Sequence, residues 1–236
     1  MRITVLRSGS KGNCYHLSGS GGLPLLLDAG LPLREIRERL NFGLSHLAGC
    51  LVTHEHGDHA KAVKDLLNAG VDVYLSEGTA KTLAIEHHRL HTVKPRQWFA
   101  VGEWHVMALP VVHDAEEPMG FLVCREDARL LYLTDTAYSP YRFKNLTHIM
   151  VECNYALDIL QKNVAAGLVP TALKDRVLRS HFSLENVKKF LLANDLSKVR
   201  EIWLLHLSDG NSDAERFKRE IQELTSKPVY VAAERR

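Results

Sequence analysis

Several features that would place a sequence in a special class are scarce or missing here. The four cysteines lie far apart and form no C-x-x-C pair, so neither a structural zinc knot nor a disulfide framework is expected. No apolar run approaches the roughly 20 residues that span a bilayer, and the first residues lack the apolar core of a signal peptide. With thiols that are expected to stay reduced, these absences predict a cytoplasmic protein.

A linker and a large excess of charge are missing as well. No Pro/Ser-rich tract or repeat interrupts the 236 residues, so a single domain over residues 1–236 is expected. The formal net charge is +2, which is too small to indicate nucleic-acid binding from the total charge. Hydrophobic residues make up 45% of the chain, and this proportion predicts an ordinary globular domain.

The hydrophobic periodicity predicts an α/β fold. Short apolar runs that end at Leu27 and Val52 are typical of buried strands, and helical spacing occupies residues 60–69 and 77–88. Residues 98–133 contain four successive strand patterns, and helices alternate with strands after them. Two strand-rich halves with attached helices predict two mixed β-sheets packed face to face and covered by helices on the outside, an αββα sandwich.

The most specific chemical feature is the segment His54-x-His56-x-Asp58-His59, which follows a buried strand and precedes a helix. Because side chains alternate along an extended segment, His54 and His56 are expected to point the same way, with Asp58 and His59 reaching a neighbouring point. Four such ligands within six residues suit Zn²⁺, Mn²⁺ or Fe²⁺. The alternative interpretation is a polar helix N-terminus with solvated histidines, which this density of ligands disfavours.

One loop cannot complete two metal sites, and three later residues are candidate ligands. His113, Asp135 and His206 each follow an apolar, strand-like run, and the ends of strands are where α/β folds collect their sites. For each of them the alternative is a satisfied core or capping residue. Glu55 lies between two ligands in a spacing unlike the His-Glu-x-x-His protease motif, so it is expected to point away from the metals.

The order and spacing of these residues resemble the metallo-β-lactamase superfamily over nearly the whole chain. The resemblance implies two divalent metal ions. It assigns His54, His56 and His113 to one ion. It assigns Asp58, His59 and His206 to the other, with Asp135 as the bridge between them. It also implies that Asp28, which follows an early apolar strand, is the family's buried aspartate that orients the histidine loop.

Further segments are similar to the YycJ-like bacterial exonucleases, which are associated with metal-dependent 5′→3′ digestion of DNA. The similar segments are residues 8–14, 27–31, 112–121, 152–155 and 206–211. Tyr155-Ala156 stands where that group usually has His-Asp, and Ser180-His181-Phe182-Ser183 stands where it tends to have Gly-His-Leu-Ser. The resemblance therefore implies a DNA substrate, with these two local departures.

The expected reaction is in-line attack on a phosphodiester by a hydroxide that two metal ions activate. Asp58 is expected to orient or deprotonate the water, and His181 to contact the scissile phosphate and protonate the leaving oxygen. For His181 the alternative is a structural role next to a helix that starts at Ser183. Three more polar residues are candidates for supporting or substrate-side roles, with ordinary turn chemistry as the alternative: Asn154, Asn211 and Ser10.

Other functions are compatible with parts of the sequence. A small-molecule hydrolase of the same fold, acting on a cyclic nucleotide or another phosphodiester, a thioester or a lactam, would use the same metals. A non-enzymatic metal-binding module is disfavoured because the ligand set is intact. Flavo-diiron oxygen chemistry would need a carboxylate in place of His56 and an attached flavin domain.

Overall fold

Residues 1–232 form 13 β-strands and eight α-helices in this computed structural model. The strands belong to two sheets, of six and seven strands, and both sheets contain parallel and antiparallel pairs. This confirms the predicted α/β class with two mixed sheets. The described chain also divides into two compact units, and the single-domain expectation stays a prediction. Unit 1 is Met1–Pro110 with Ala115–Asp127, and unit 2 is Val111–Asp114 with Ala128–Ala232.

Unit 1 contains the six-stranded sheet, whose strands lie in chain order. They are β1 (Arg2–Arg7), β2 (Cys14–Ser18), β3 (Leu25–Leu27), β4 (Gly49–Leu51), β5 (Val73–Leu75) and β6 (Leu90–Thr92). The pairs are antiparallel from β1 to β3 and parallel from β3 to β6. Because β3 and β4 are parallel neighbours, their carboxyl ends lie side by side, and the residues that follow them can meet.

Four short helices accompany this sheet: α1 (Leu33–Arg39), α2 (Gly57–Ala60), α3 (Val63–Asn68) and α4 (Glu77–Leu83). Some of their apolar side chains, such as Ile36 and Leu66, are fully buried in one cluster with side chains of the strands. The start of α4 is fixed by Ser76, whose hydroxyl accepts a hydrogen bond from the Thr79 backbone N–H.

Unit 1 also contains the antiparallel strands β7 (Trp98–Val101), β8 (Trp104–Pro110) and β9 (Met119–Arg125). Trp104 is fully buried, and its indole Nε1 donates to the backbone oxygen of Leu23 at 2.9 Å. The guanidinium carbon of Arg125 lies 5.0 Å from the centroid of that ring. The meander is therefore tied to the residues that precede β3.

Unit 2 is built on four parallel strands, β10 (Ala128–Leu133), β11 (His148–Glu152), β12 (Glu201–Leu205) and β13 (Val229–Val231). Its helices are α5 (Leu157–Ala165), α6 (Thr171–Ser180), α7 (Leu184–Leu192) and α8 (Ala214–Thr225). Every residue of β11 is buried, as expected for a central parallel strand. Within residues 1–232, no helix combines the length and the apolar character needed to cross a membrane.

Two sequence-based expectations about helices were wrong. The helix expected over residues 77–88 ends at Leu83, because Ala84 adopts a left-handed backbone with φ of 50°, and the strand β6 follows. His91 belongs to that strand, stacks on Tyr74 with ring centroids 4.7 Å apart, and contacts Asp72. The helix expected over residues 60–69 is two helices, α2 and α3, separated at Lys61 and Ala62.

Candidate metal centre

In unit 1 the candidate ligands lie on the segment that leads from β4 into the helix α2, which we call the histidine loop (residues 54–59). The ring nitrogens His54 Nε2 and His56 Nδ1 are 3.0 Å apart, and the ring centroids of His54 and His59 are 4.2 Å apart. Asp58 Oδ2 lies 3.5 Å from His59 Nε2. The structure therefore brings together the four loop residues that the sequence singles out.

Asp28 orients this loop from the end of the neighbouring strand β3. Its side chain is fully buried and its backbone has φ of 55°. Oδ1 accepts a hydrogen bond from the Thr53 backbone N–H at 2.8 Å, and Oδ2 accepts one from His59 Nδ1, also at 2.8 Å. Because Nδ1 of His59 is the donor, its lone pair is on Nε2, the form of imidazole that binds a metal.

Asn13 also fastens the histidine loop, a role that was not predicted from the sequence. Its backbone N–H donates to the Asp58 carbonyl at 2.7 Å, and its Nδ2 lies 3.0 Å from His59 Nε2. Its Oδ1 accepts from the Gly9 backbone N–H at 2.9 Å, within the Gly/Ser turn. Ser10 lies in this turn and is exposed, and its supporting role stays a prediction.

Glu55 contacts protein groups that are not candidate ligands. Its Oε1 accepts a hydrogen bond from the Glu116 backbone N–H at 2.7 Å, and its Oε2 accepts one from the Thr79 hydroxyl at 3.3 Å. This geometry agrees with the structural role expected for Glu55 from the spacing of the motif.

In unit 2, two candidate ligands follow the carboxyl ends of β10 and β12, the parallel strands on either side of β11. Asp135 comes two residues after β10, and His206 directly after β12. Both are buried and have a positive φ, of 30° and 50° respectively. His206 Nδ1 is 3.8 Å from Asp135 Oδ1, and His113 Nε2 is 3.6 Å from Asp135 Oδ2. The three later candidates are thus gathered around Asp135.

His113 is held in the neutral form that a metal ligand requires. Its Nδ1 donates to the Ser180 carbonyl at 2.9 Å, which leaves the lone pair on Nε2. Burial lowers the pKa of His113 and outweighs the opposing effect of the Asp135 carboxylate. The ring is therefore uncharged around neutral pH.

Glu152 and His181 form a hydrogen-bonded pair whose acidic member was not predicted to have a role. Glu152 ends β11, is fully buried, and its Oε1 lies 2.5 Å from His181 Nδ1. Its Oε2 accepts hydrogen bonds from the backbone N–H groups of Thr136 at 3.0 Å and Phe182 at 3.1 Å. A carboxylate with this many donors is fixed in position.

Each member of this pair affects the protonation of the other. Burial works to lower the pKa of His181, but the charge and hydrogen bond of the Glu152 carboxylate raise it above its usual value. Burial likewise works to raise the pKa of Glu152, and the His181 imidazolium holds it below its usual range. The pair is therefore favoured as a carboxylate and an imidazolium.

The two candidate asparagines have different surroundings. Asn154 Nδ2 donates to the His206 carbonyl at 2.9 Å and lies 3.2 Å from His206 Nδ1, so it positions that ring. Asn211 accepts a hydrogen bond from Asn163 Nδ2 at 2.9 Å and contacts Ser208. These contacts place Asn211 in the loop before α8, and its substrate-side role stays a prediction.

The donors of each unit suit a divalent transition metal. They are imidazole nitrogens and carboxylate oxygens, the ligands that Zn²⁺ and Mn²⁺ accept. Two nitrogens that bind one Zn²⁺ at about 2.0–2.1 Å lie roughly 3.3 Å apart, which is close to the His54–His56 separation of 3.0 Å. The Asp135 carboxylate oxygens lie 3.6 Å from His113 Nε2 and 3.8 Å from His206 Nδ1. These distances are too long for hydrogen bonds but fit ligand atoms that share an ion.

A basic cavity of about 350 Å³ lies next to His113 within unit 2. It is lined by His113, Asp114, Ala172, Ser180 and two arginines of α6, Arg176 and Arg179. The Arg176 guanidinium Nε donates to Asp114 Oδ2 at 2.7 Å. Two guanidinium groups beside a candidate ligand favour an anionic substrate.

Comparison with known proteins identifies one family for most of the chain. Residues 25–199 match the model of the β-lactamase superfamily domain. The chain is 29% identical to an exodeoxyribonuclease WalJ of Streptococcus pneumoniae over 228 residues, covering 89% of this chain and 83% of that protein. It is 27% identical to an exodeoxyribonuclease YycJ of Bacillus anthracis over 252 residues, covering 99% and 92%.

A solved structure supports the fold. The metallo-β-lactamase fold protein YhfI of Bacillus subtilis superposes with a TM-score of 0.72 at 15% sequence identity, covering 98% of this chain and 96% of that one. The fold predicted from the sequence is confirmed by this likeness.

Proposed function

Because the chain belongs to the β-lactamase superfamily, we propose that it is a metal-dependent exodeoxyribonuclease. The observation that carries this proposal is its similarity to proteins named exodeoxyribonucleases over 89% and 99% of its length. The arginines beside His113 support it, because DNA presents a phosphate backbone to such groups. Digestion from the 5′ end and a cytoplasmic location are proposed from the sequence alone.

We propose that the protein binds two divalent ions, Zn²⁺ or Mn²⁺ with Fe²⁺ as a third choice. The proposed ligands are His54, His56 and His113 for one ion, Asp58, His59 and His206 for the other, and Asp135 as the bridge. Family membership and the donor chemistry within each unit support this division. When bound, the metals would lower the pKa of water towards neutral and offset charge on the phosphodiester oxygens.

The protein's own residues would supply orientation and proton transfer. Asp28 and Asn13 hold the histidine loop, and Asn154 holds the His206 ring. Asp58, with a side chain that is 25% exposed, would accept the proton of the attacking water. The histidine loop and the His206 ring are thus positioned by hydrogen bonds before any substrate arrives.

His181 would protonate the leaving oxygen. Since Nδ1 is engaged by Glu152, a protonated His181 presents its second proton on Nε2. Glu152 acts through His181, as a positioning residue that stabilises the imidazolium. General-acid catalysis of this kind contributes roughly 10²- to 10⁴-fold to a rate.

The proposed function is tested with the metal-loaded protein on three DNA substrates: linear duplex labelled at the 5′ end, linear duplex labelled at the 3′ end, and closed circular duplex. Release of mononucleotides from the 5′ end, with the circle intact, is the expected result. Inertness on all three substrates, combined with turnover of a cyclic nucleotide or another small phosphodiester, would refute the proposal and favour a small-molecule hydrolase.

The role of His181 is tested by the leaving group. The substitution His181→Ala should slow DNA hydrolysis by about 10² or more, yet slow hydrolysis of bis-p-nitrophenyl phosphate much less, because p-nitrophenolate leaves without protonation. Metal content, measured on the same samples, should stay at the wild-type level. Equal losses on both substrates would show that His181 is not the general acid.

A further inference from the structure

A groove of about 320 Å³ in unit 2 opens beside the segment that follows Asp135. One wall consists of residues 138–142, and the other of Phe182 with residues of α7. Neither the proposed metal ligands nor the proposed general acid line this groove. Its volume lies at the lower end of the range of about 300–1,000 Å³ typical of ligand pockets, so it suits one small planar group rather than a duplex.

The groove combines aromatic surface with positive charge. Tyr138 is 53% exposed, although it carries a large ring, and the buried rings of Phe182 and Phe190 lie 6.1 Å apart. Arg142 and Lys189 contribute cationic side chains to the lining. Stacking rings flanked by cations are the usual means of holding a single nucleic-acid strand without reading its sequence.

The groove is fixed relative to the proposed general acid. The same Glu152 oxygen accepts hydrogen bonds from the backbone of Thr136, two residues before Tyr138, and from Phe182. The other Glu152 oxygen contacts His181, the residue before Phe182. In addition, Asn186 of α7 donates to the Ala137 carbonyl at 3.4 Å. A group in the groove would therefore have a fixed position relative to His181.

We propose that this groove receives one unpaired nucleobase of the DNA strand being cleaved, with the base stacked on Tyr138. The phosphate next to that base faces Arg142 and Lys189. The proposal rests on the proposed exodeoxyribonuclease function and names the part of the substrate that the enzyme recognises. A base in the groove cannot be paired, so the terminal base pair of a duplex must open before its strand is cleaved.

The test uses single-stranded oligonucleotides that carry 2-aminopurine at each of the first four positions from the cleaved end. Phosphorothioate linkages keep the DNA intact on the metal-loaded protein. Stacking on an aromatic ring changes 2-aminopurine fluorescence, and one position is expected to respond with wild-type protein. Tyr138→Ala should remove that response and weaken binding by about 5- to 150-fold, whereas Tyr138→Phe should keep both.

Tyr230→Ala is the matched control, because Tyr230 is 44% exposed on β13 and does not line the groove. Tyr230→Ala should bind the oligonucleotides with the affinity of the wild-type protein. If wild type degrades DNA and Tyr138→Ala gives the wild-type fluorescence response and affinity, the groove proposal is wrong and the proposed function stands. If wild type neither degrades DNA nor changes the fluorescence at any position, both proposals fall.

Discussion

Replacing Gly30 by alanine should displace the histidine loop and cost the protein its metal. Gly30 follows β3 and Asp28, and its backbone N–H donates to the Asn13 carbonyl at 2.9 Å. A Cβ at this position would lie 1.7 Å from the Asp58 carbonyl oxygen and 2.7 Å from the Asn13 backbone nitrogen. Both neighbours are backbone atoms, so no side-chain rotation relieves the clash.

The size of the effect follows from these distances. The Asp58 carbonyl must move from 1.7 Å to at least 3.0 Å from the new Cβ, a movement of about 1.3 Å in a close-packed interior. Metal sites tolerate deviations of only about 0.2 Å in their ligand distances, and a misplacement of 1 Å can cost roughly 10²-fold in rate. Overpacking of this kind also destabilises a fold by about 1–3 kcal/mol.

The measurements are metal content by mass spectrometry after dialysis against Zn²⁺ or Mn²⁺, thermal unfolding, and the rate of DNA hydrolysis. Gly57→Ala is the matched control, since it changes a glycine of the histidine loop whose Cβ would meet nothing within 4 Å. The reasoning would be refuted if Gly30→Ala bound as much metal and hydrolysed DNA as fast as Gly57→Ala.

Three further outcomes are expected. Glu152→Gln should have the same effect as His181→Ala: a large loss in the rate of DNA hydrolysis and a small loss with bis-p-nitrophenyl phosphate, at unchanged metal content. Equal losses of rate on the two substrates would contradict a positioning role. Neutralising Arg176 and Arg179 should reduce the slope of log Kd for DNA against log salt by up to about two, and an unchanged slope would exclude them from the interface. Lys188 and Arg216 hold the pKa of Glu220 below its usual value. The ionised Glu220 carboxylate therefore stabilises the fold at pH values above its pKa in the unfolded chain. This contribution disappears as the pH falls through the pKa of Glu220 in the folded protein. Glu220→Gln should therefore lower the melting temperature at pH 7 more than at pH 3, and an equal loss at both pH values would contradict this.

Much of the fold could be predicted because its strands are short apolar runs that end in polar residues. The runs before Asp28 and His54 became β3 and β4, and their parallel pairing brings Asp28 to Thr53, the residue before His54. The strand β6 was missed because its three residues are too few to show an alternation of apolar and polar side chains. Its register depends on pairing with β5 and on the contact between His91 and Asp72, which lie 19 residues apart.

The supporting residues of the site were less predictable than the candidate ligands. Ligand types are recognisable by spacing, but Asn13 acts on His59 across 46 positions of sequence, and Glu152 on His181 across 29. Neither residue lies in a local pattern that specifies its partner. Asn13 lies in the segment of residues 8–14 that is similar to the YycJ-like exonucleases, but the hydrogen bonds that give it a role exist only after the chain has folded.

Asp28, Asp135 and His206 all have a left-handed backbone, with φ of 55°, 30° and 50°. Residues other than glycine adopt this conformation at a cost of roughly 1–3 kcal/mol. Selection for thermal stability alone would therefore favour glycine or asparagine at these three positions and discard the side chains that the site needs. A library screened only for survival of heating should accumulate such replacements, so stabilised variants of this protein must be selected for turnover at the same time.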